Sequence, residues 1–284
     1  MSLNYCRLFS SVLALLALSS CSSSGSAPSA ETIDPQNPKP TIVLVHGAFA
    51  DASSWNGVVE RLEQRGYSVI APANPLRGLD SDAAALASVL KTIDGPLVFV
   101  GHSYGGMVIS KAAQDNPAVK ALVYIAAFAP TTGEFVQGLL NPITYPGSRL
   151  LPPALQLTVV ENDPTGVAGR NVDGYIARPY FREIFAQDVS PAVAADMFAH
   201  QKSAALRANL EPSGPPSWAR VPSWYLVSQQ DRVIPRRCSA SWPDEPYPGA
   251  PPRSTPRTRR WCRAPTRSRG RCCERPTRRN RADP

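Results

Sequence analysis

The stretch Val98-Phe-Val-Gly-His-Ser-Tyr-Gly-Gly106 decides how the chain is read. Pro96 to Val100 is a short apolar run, which predicts a buried strand. Gly101-His102-Ser103-Tyr104-Gly105 fits Gly-x-Ser-x-Gly, and Met107 to Gln114 has the composition of a helix. Strand, tight turn and helix is the context in which this motif lifts a serine clear of a sheet. The turn strains the serine backbone, and Gly101 and Gly105 make room for it. The hydroxyl faces a helix N-terminus, where developing negative charge is favoured. Ser103 is therefore the expected nucleophile.

The flanking chain repeats one pattern. Thr41 to Val45, rich in β-branched residues, predicts a strand buried on both faces, leading into His46-Gly47-Ala48-Phe49-Ala50. Ser53 or Ser54 is positioned to cap a helix that runs to Gln64 and stops at Gly66. Ser68 to Ala71 predicts a strand, Asp80 or Ser81 opens a helix reaching Ile93, and Val119 to Ala127 and Val221 to Val227 predict further strands. The alternation implies an α/β fold class, a mostly parallel sheet with helices on both faces. From Pro130 to Pro216 the alternation stops. Only Leu155 to Val160 resembles a strand there, while Tyr180 to Gln187 and Val193 to Leu210 are amphipathic. This segment is expected to form a helical cap over the site.

A chain of 284 residues suits one such domain once its ends are set aside. The net charge of +8 is uneven: residues 236–284 hold 14 Arg and 4 acidic side chains, and the remainder is nearly neutral. The six cysteines also avoid the body, standing at Cys6 and Cys21 and at Cys238, Cys262, Cys272 and Cys273. No disulfide framework or cysteine metal site is expected in the core. No metal-ligand cluster or phosphate-cradling loop is visible, so no cofactor is expected.

Met1 to Ser20 has the form of a secretory signal, with Arg7 before the apolar stretch Leu8 to Leu18. Leu18-Ser19-Ser20-Cys21 resembles the lipobox of bacterial lipoproteins. The resemblance implies cleavage before Cys21, a lipid on Cys21, and residues 21–40 as a flexible tether to a cell-envelope membrane. An ordinary signal for secretion is the alternative.

Val43-Leu-Val-His-Gly-Ala48, the Gly101–Gly105 turn and Asp231-Arg-Val-Ile-Pro235 together resemble the α/β-hydrolase superfamily, and most of all its small esterase branch of methylesterases and hydroxynitrile lyases. The resemblance covers about residues 41–235. It implies hydrolysis of a small-molecule carboxylic ester through an acyl-enzyme, with Ser103 as nucleophile and Asp231 as the acid that orients a base. It also implies an oxyanion hole from the backbone N–H groups of Ala48 and Tyr104.

One part of that pattern is missing. The fold orders its triad as Ser, Asp or Glu, then His. No histidine follows Asp231; the three in the chain are His46, His102 and His200. His46 belongs to the His-Gly turn, His102 abuts the nucleophile and should point elsewhere, and His200 lies on a cap helix. Residues 236–284 contain no Val, Ile, Leu, Met or Phe, so no buried strand or helix is expected there and the last strand and helix of the fold are read as missing. The break directly after Pro235 suggests a frameshift. Read from each third base, codons for Arg237 to Pro243 permit Met/Val/Leu-Gln-Arg-Phe-Met-Ala. The same offset over Trp261 to Ser268 permits Val-Pro-Gly-Ala-His-Ala-Val. Three functions remain: an esterase impaired by the absent base, a non-catalytic small-molecule-binding relative, and nonspecific anion binding by the tail. No specific nucleic-acid partner is expected.

Overall fold

The computed structural model describes residues 38–164, residues 166–234 and the backbone of 259–263. The signal segment, Cys21, most of the tether and most of the tail lie outside the described residues.

Strand β1 (Thr41–Val45) is buried from Ile42 onward, as its run of branched apolar side chains requires. A 3-10 turn (Ala52–Trp55) then leads into α1 (Asn56–Glu63). The cap of that turn is Asp51, not Ser53 or Ser54: its carboxylate accepts the Ser53 N–H at 2.9 Å. After β2 (Val69–Ile70), α2 (Leu79–Leu90) buries Leu79, Ala83, Leu86 and Leu90, together with the carboxylate of Asp82. Strand β3 (Leu97–Ser103) carries the elbow serine at its end, α3 (Gly105–Ala112) follows at once, and β4 (Val119–Ala127) completes the first half.

The chain then leaves the sheet. It forms α4 (Val136–Leu139), β5 (Leu155–Glu161), β6 (Arg170–Ile176), α5 (Arg178–Ile184), α6 (Pro191–Ala199), β7 (Ala204–Ala205) and α7 (Leu206–Leu210). The expected helical cap is thus half sheet: β5, β6 and β7 pair antiparallel in that order. Strand β6 was hidden in the sequence because Asn171 and Asp173 are buried in it while polar, which erases the apolar alternation. The helix expected over Val193 to Leu210 breaks after Ala199. There the backbone turns to the body: the Lys202 Nζ donates to the Asn74 carbonyl at 2.7 Å, and the Ala205 N–H donates to that of Leu76 at 2.9 Å.

Strand β8 (Ser223–Ser228) returns to the main sheet, and Arg259–Arg263 forms β9. The sheet order is β2-β1-β3-β4-β8-β9, with the first five strands parallel and β9 antiparallel to β8. The expectation that no strand follows β8 is corrected. Ladder hydrogen bonds come from the backbone, so the open edge of β8 can be paired by a segment without aliphatic side chains.

The cap is held down by ions. Arg77, in the loop before α2, grips Asp173 of β6 with two bonds, Nη1 to Oδ1 at 2.9 Å and Nη2 to Oδ2 at 2.8 Å, and Nη1 also reaches Asp163 at 3.3 Å. Asp173 is almost wholly buried. Removing one partner of such a pair strands the other charge away from water. Asp173→Ala is expected to destabilise the protein by about 3 kcal/mol in urea unfolding. Glu161→Ala, which breaks the exposed Arg170–Glu161 pair, should cost less than about 1 kcal/mol.

Candidate active site

Ser103 ends β3 with φ 53°, the left-handed region, at a strain of about 1–2 kcal/mol for a residue with a side chain. The strain persists because the turn is packed on every side. A Cβ on Gly105 would lie 2.3 Å from the Val45 carbonyl oxygen. A Cβ on Gly47 would lie 2.6 Å from Ser103 Cβ and 3.2 Å from Ser103 Oγ. The glycines therefore let the end of β1 lie directly on the elbow. The same contact brings Gly47 close to the serine hydroxyl.

Tyr104, the first residue after the serine, is pinned from below. Its phenol donates to Asp82 Oδ2 at 2.8 Å, and Asp82 Oδ1 accepts the Arg77 backbone N–H at 3.0 Å. Burial raises the pKa of the Asp82 carboxyl and of the Tyr104 phenol above their usual values. The loop that clamps the cap thus also bonds the carboxylate that fixes the elbow. Asp82 was not singled out from sequence. Its signal was a lone charge on the apolar stripe of α2, in register with Leu79 and Leu86.

Asp231 follows β8. Its Oδ1 accepts the Val233 N–H at 2.8 Å and the Ile234 N–H at 2.9 Å, which fixes the plane of the carboxylate. Burial raises its pKa, and those two bonds oppose the rise. Ser103, Asp231, Ala48 and Tyr104 all line one cavity of about 430 Å³. Its walls are largely apolar, with Phe49, Phe128, Leu140, Leu150, Ile184 and Phe185, and its polar lining includes Gln187, Asn209, Gln229 and Gln230. The volume falls within the range of ordinary small-molecule sites. Among the described residues, no group of three or more His, Cys, Asp or Glu side chains could hold a metal ion.

The three histidines are engaged elsewhere. His46 is fully buried; its Nε2 accepts the Asn74 backbone N–H at 3.0 Å, so Nδ1 carries the proton and donates to the Gly47 carbonyl at 2.9 Å. With both nitrogens used, it shapes the loop. His102 contributes to the cavity wall, but its ring stands edge-on to Trp55, with centroids 6.5 Å apart. Burial, with a smaller effect of His46, drives its pKa down to about 4. His200 is exposed at the end of α6 and bonds the Asp196 carbonyl at 2.9 Å.

An elbow serine, an adjoining His-Gly turn and a carboxylate after a late strand, on a parallel sheet with an inserted cap, correspond to one family, and the sequence match to it runs over residues 42–263. The chain belongs to the alpha/beta hydrolase family. Its relatives include the alpha/beta hydrolase nvfD of Aspergillus novofumigatus, 26% identical over 69% of this chain and 80% of that protein. A pyrethroid hydrolase of Sphingobium wenxiniae is 29% identical over 68% of this chain and 72% of that one. Methylesterase 7 of Arabidopsis thaliana is 28% identical over 55% of this chain and 63% of that one. In fold, the crystal structure of a pyrethroid hydrolase from Sphingobium faniae JZ-2 superposes with a TM-score of 0.57, at 23% identity over 71% of this chain and 83% of that chain. The relatives are esterase-like hydrolases, and the finer assignment of roles rests on the geometry above.

The half-buried His102 makes a pH test of this packing. It is neutral in the fold, whereas in the unfolded chain it takes a proton below about 6.5. Stability tied to it is complete above that value and is lost as pH falls from 6.5 towards 4. Since the ring keeps an exposed edge, the loss should be roughly 2 kcal/mol. Asp82 and Asp231, with raised values, act with the opposite sign and gain stability on protonation. The comparison of wild type with His102→Gln isolates the histidine: denaturation curves at a series of pH values should diverge across this window, with the variant flatter.

Proposed function

We propose that this chain is a carboxylic-ester hydrolase in which Ser103 forms an acyl-enzyme, and that it turns over slowly because its sequence supplies no base for Ser103. The observation that carries this reading is the elbow. Ser103 is held at positive φ against Gly47, on the wall of a cavity that also includes Ala48, Tyr104 and Asp231. In this reading the Ala48 and Tyr104 N–H groups receive the negative charge that develops on the carbonyl oxygen. Loss of one such donor in an active enzyme of this kind costs about 3 kcal/mol of barrier. The apolar walls favour a neutral ester with a hydrophobic acyl or alcohol part. The activities of the relatives, pyrethroid hydrolase and methylesterase, agree with an ester substrate.

The missing base limits the rate. A positioned general base contributes about 10²–10⁴-fold. His46 has both nitrogens bonded, His200 stands in solvent, and a base with a pKa of about 4, as in His102, draws the serine proton weakly. The same absence favours a second reading, a pocket that binds an ester without cleaving it. Incubation with an activated ester such as p-nitrophenyl butyrate, followed by peptide mass spectrometry, separates the two. The expected result is slow, stoichiometric acylation of Ser103, absent from Ser103→Ala. A protein that binds the ester but never acquires the acyl group would support the binding reading. Turnover at ordinary enzymatic rates would show that a base has been overlooked.

Two proposals concern the termini. The lipobox-like Leu18-Ser-Ser-Cys21 supports export and a lipid anchor on Cys21, with the segment to Pro40 as tether. The absence of aliphatic residues after Pro235 supports an out-of-frame origin for residues 236–284. The gene's nucleotide sequence across the Pro235 codon, with the intact mass of the purified protein, tests the second.

A further inference from the structure

Strand β5 is the open edge of the cap sheet. It is seven residues long, Leu155-Gln-Leu-Thr-Val-Val-Glu161, and among the described residues it pairs with β6 alone. Leu157 and Val159 are 56% and 59% exposed. The devices that usually protect an open edge are absent: the strand holds no Lys, Arg, Pro or Gly, and its ladder with β6 has no bulge. Its one charge, Glu161, stands at the end and is met by Arg170 at 2.9 Å.

The bonds of β6 show which way each residue of β5 turns its backbone. The Ile176 N–H and carbonyl both bond the Gln201 side chain, and the Ala177 N–H donates to the Ala154 carbonyl at 2.8 Å. Leu155 and Ile176, which lie opposite each other, are therefore a pair without hydrogen bonds, and such pairs alternate with bonded ones along an antiparallel ladder. By that alternation Gln156, Thr158 and Val160 bond β6. Leu157, Val159 and Glu161 turn their N–H and carbonyl groups outward, to the open edge.

We propose that β5 pairs with β5 of a second copy of this chain, antiparallel about a twofold axis at Thr158, so that two cap sheets join into one. The proposal does not depend on the ester-hydrolase reading. Only the outward-turned residues can exchange bonds across the edge, which restricts the pairing to registers that differ by two residues. Of these, the register centred on Thr158 uses the whole strand. It sets Leu157 opposite Val159 of the partner subunit, and the reverse, each pair exchanging both backbone bonds. It also brings the two copies of Thr158 face to face without a backbone bond between them. Leu157 and Val159 of both copies then share one apolar face, and no like charges meet, because Glu161 falls opposite Leu155 of the partner subunit. An uncharged edge that complements itself in this way selects a second copy over a charged peptide. Leu155 and Leu157 also line the cavity, so the joined sheet runs along one wall of the site.

The test is sedimentation velocity of the full 284-residue chain over a concentration series. The expected result is a monomer–dimer equilibrium in the micromolar range, as a small interface gives. Thr158→Lys sets two ammonium groups face to face at the axis and should weaken the dimer at least about tenfold. Its melting temperature at low concentration should match that of wild type, because Thr158 is exposed in the single chain. Thr158→Val, which suits a strand, should keep the dimer. Crosslinking reads the register. Opposed residues of an antiparallel pair without backbone bonds have Cα atoms about 4.5 Å apart, within reach of a disulfide. On mild oxidation Thr158→Cys should give a disulfide between the two introduced thiols, and peptide mass spectrometry separates it from bridges through the chain's own six cysteines. Val160→Cys should give none between its introduced thiols, since Val160 faces Gln156 of the partner subunit. A chain that stays monomeric up to about 0.5 mM would overturn the proposal, since even weak interfaces assemble there. So would a dimer that Thr158→Lys leaves unchanged, or one whose Thr158→Cys thiols never join. A different polypeptide that binds the monomeric chain and is released by Thr158→Lys would assign the edge to another partner and likewise overturn self-pairing.

Discussion

The contact on which the rest depends is the approach of the end of β1 to the end of β3. Val45 and Gly47 lie so close to Ser103 and Gly105 that no Cβ fits at either glycine, with 2.3 Å and 2.6 Å as the nearest approaches. Two parallel strands in register along Thr41–Val45 and Leu97–Gly101 deliver both turns to one rim of the sheet. A serine held at positive φ is unfavourable by itself, and the pairing of those strands is what sustains it. The strained turn sets Ser103 beside Gly47 and in the wall of the cavity that Ala48 also lines. Chemistry at this position is therefore inherited from sheet register, and a shift of either strand would dismantle it.

A second set of contacts ties that rim to the cap. Asn74, Leu76 and Arg77 form one short loop with four attachments. The backbone N–H of Asn74 bonds His46 and its carbonyl receives Lys202; the Leu76 carbonyl receives Ala205; and the Arg77 side chain holds Asp173. Arg77 also donates its backbone N–H to Asp82, which holds Tyr104. A single loop thus reaches the His-Gly turn and two segments of the cap directly, and Tyr104 through Asp82. The buried ions in it are costly to desolvate, so they fix geometry more than they add stability. They also explain why the cavity beneath the cap has a defined shape although the cap's own helices are short.

These features differ in how far they could be read from the chain. The parallel strands were legible because a strand buried on both faces must be apolar throughout, and Thr41–Val45 and Val119–Ala127 are nearly so. The elbow was legible because backbone crowding admits only glycine at Gly101 and Gly105. The cap sheet was not, since buried Asp173 is neutralised by Arg77 far away in the sequence and Asn171 bonds Asp163, and local pattern cannot reveal such a partner. The same is true of Asp82, whose role appears only when Tyr104 lies above it. Strand β9 escaped for a different reason. Residues Arg259–Arg263 pair with β8 through backbone groups, which hydropathy does not register.

The fate of the histidines follows from the same local logic. A triad base must have one nitrogen free to take a proton and the other free to meet the acid. His46 belongs to the His-Gly turn, which holds it as a bonded neutral ring, so freeing it would release Asn74 and with it the Lys202 attachment. His102 is adjacent to Ser103 in sequence, yet a strand alternates its faces, and the ring is carried to the Trp55 side. His46 is thus held by two bonds, and His102 packs on Trp55 while it also lines the cavity. The fold sets Ser103 by the packing of β1 on the end of β3, and Asp231 by the N–H groups of Val233 and Ile234, so neither placement uses a hydrogen bond from a histidine.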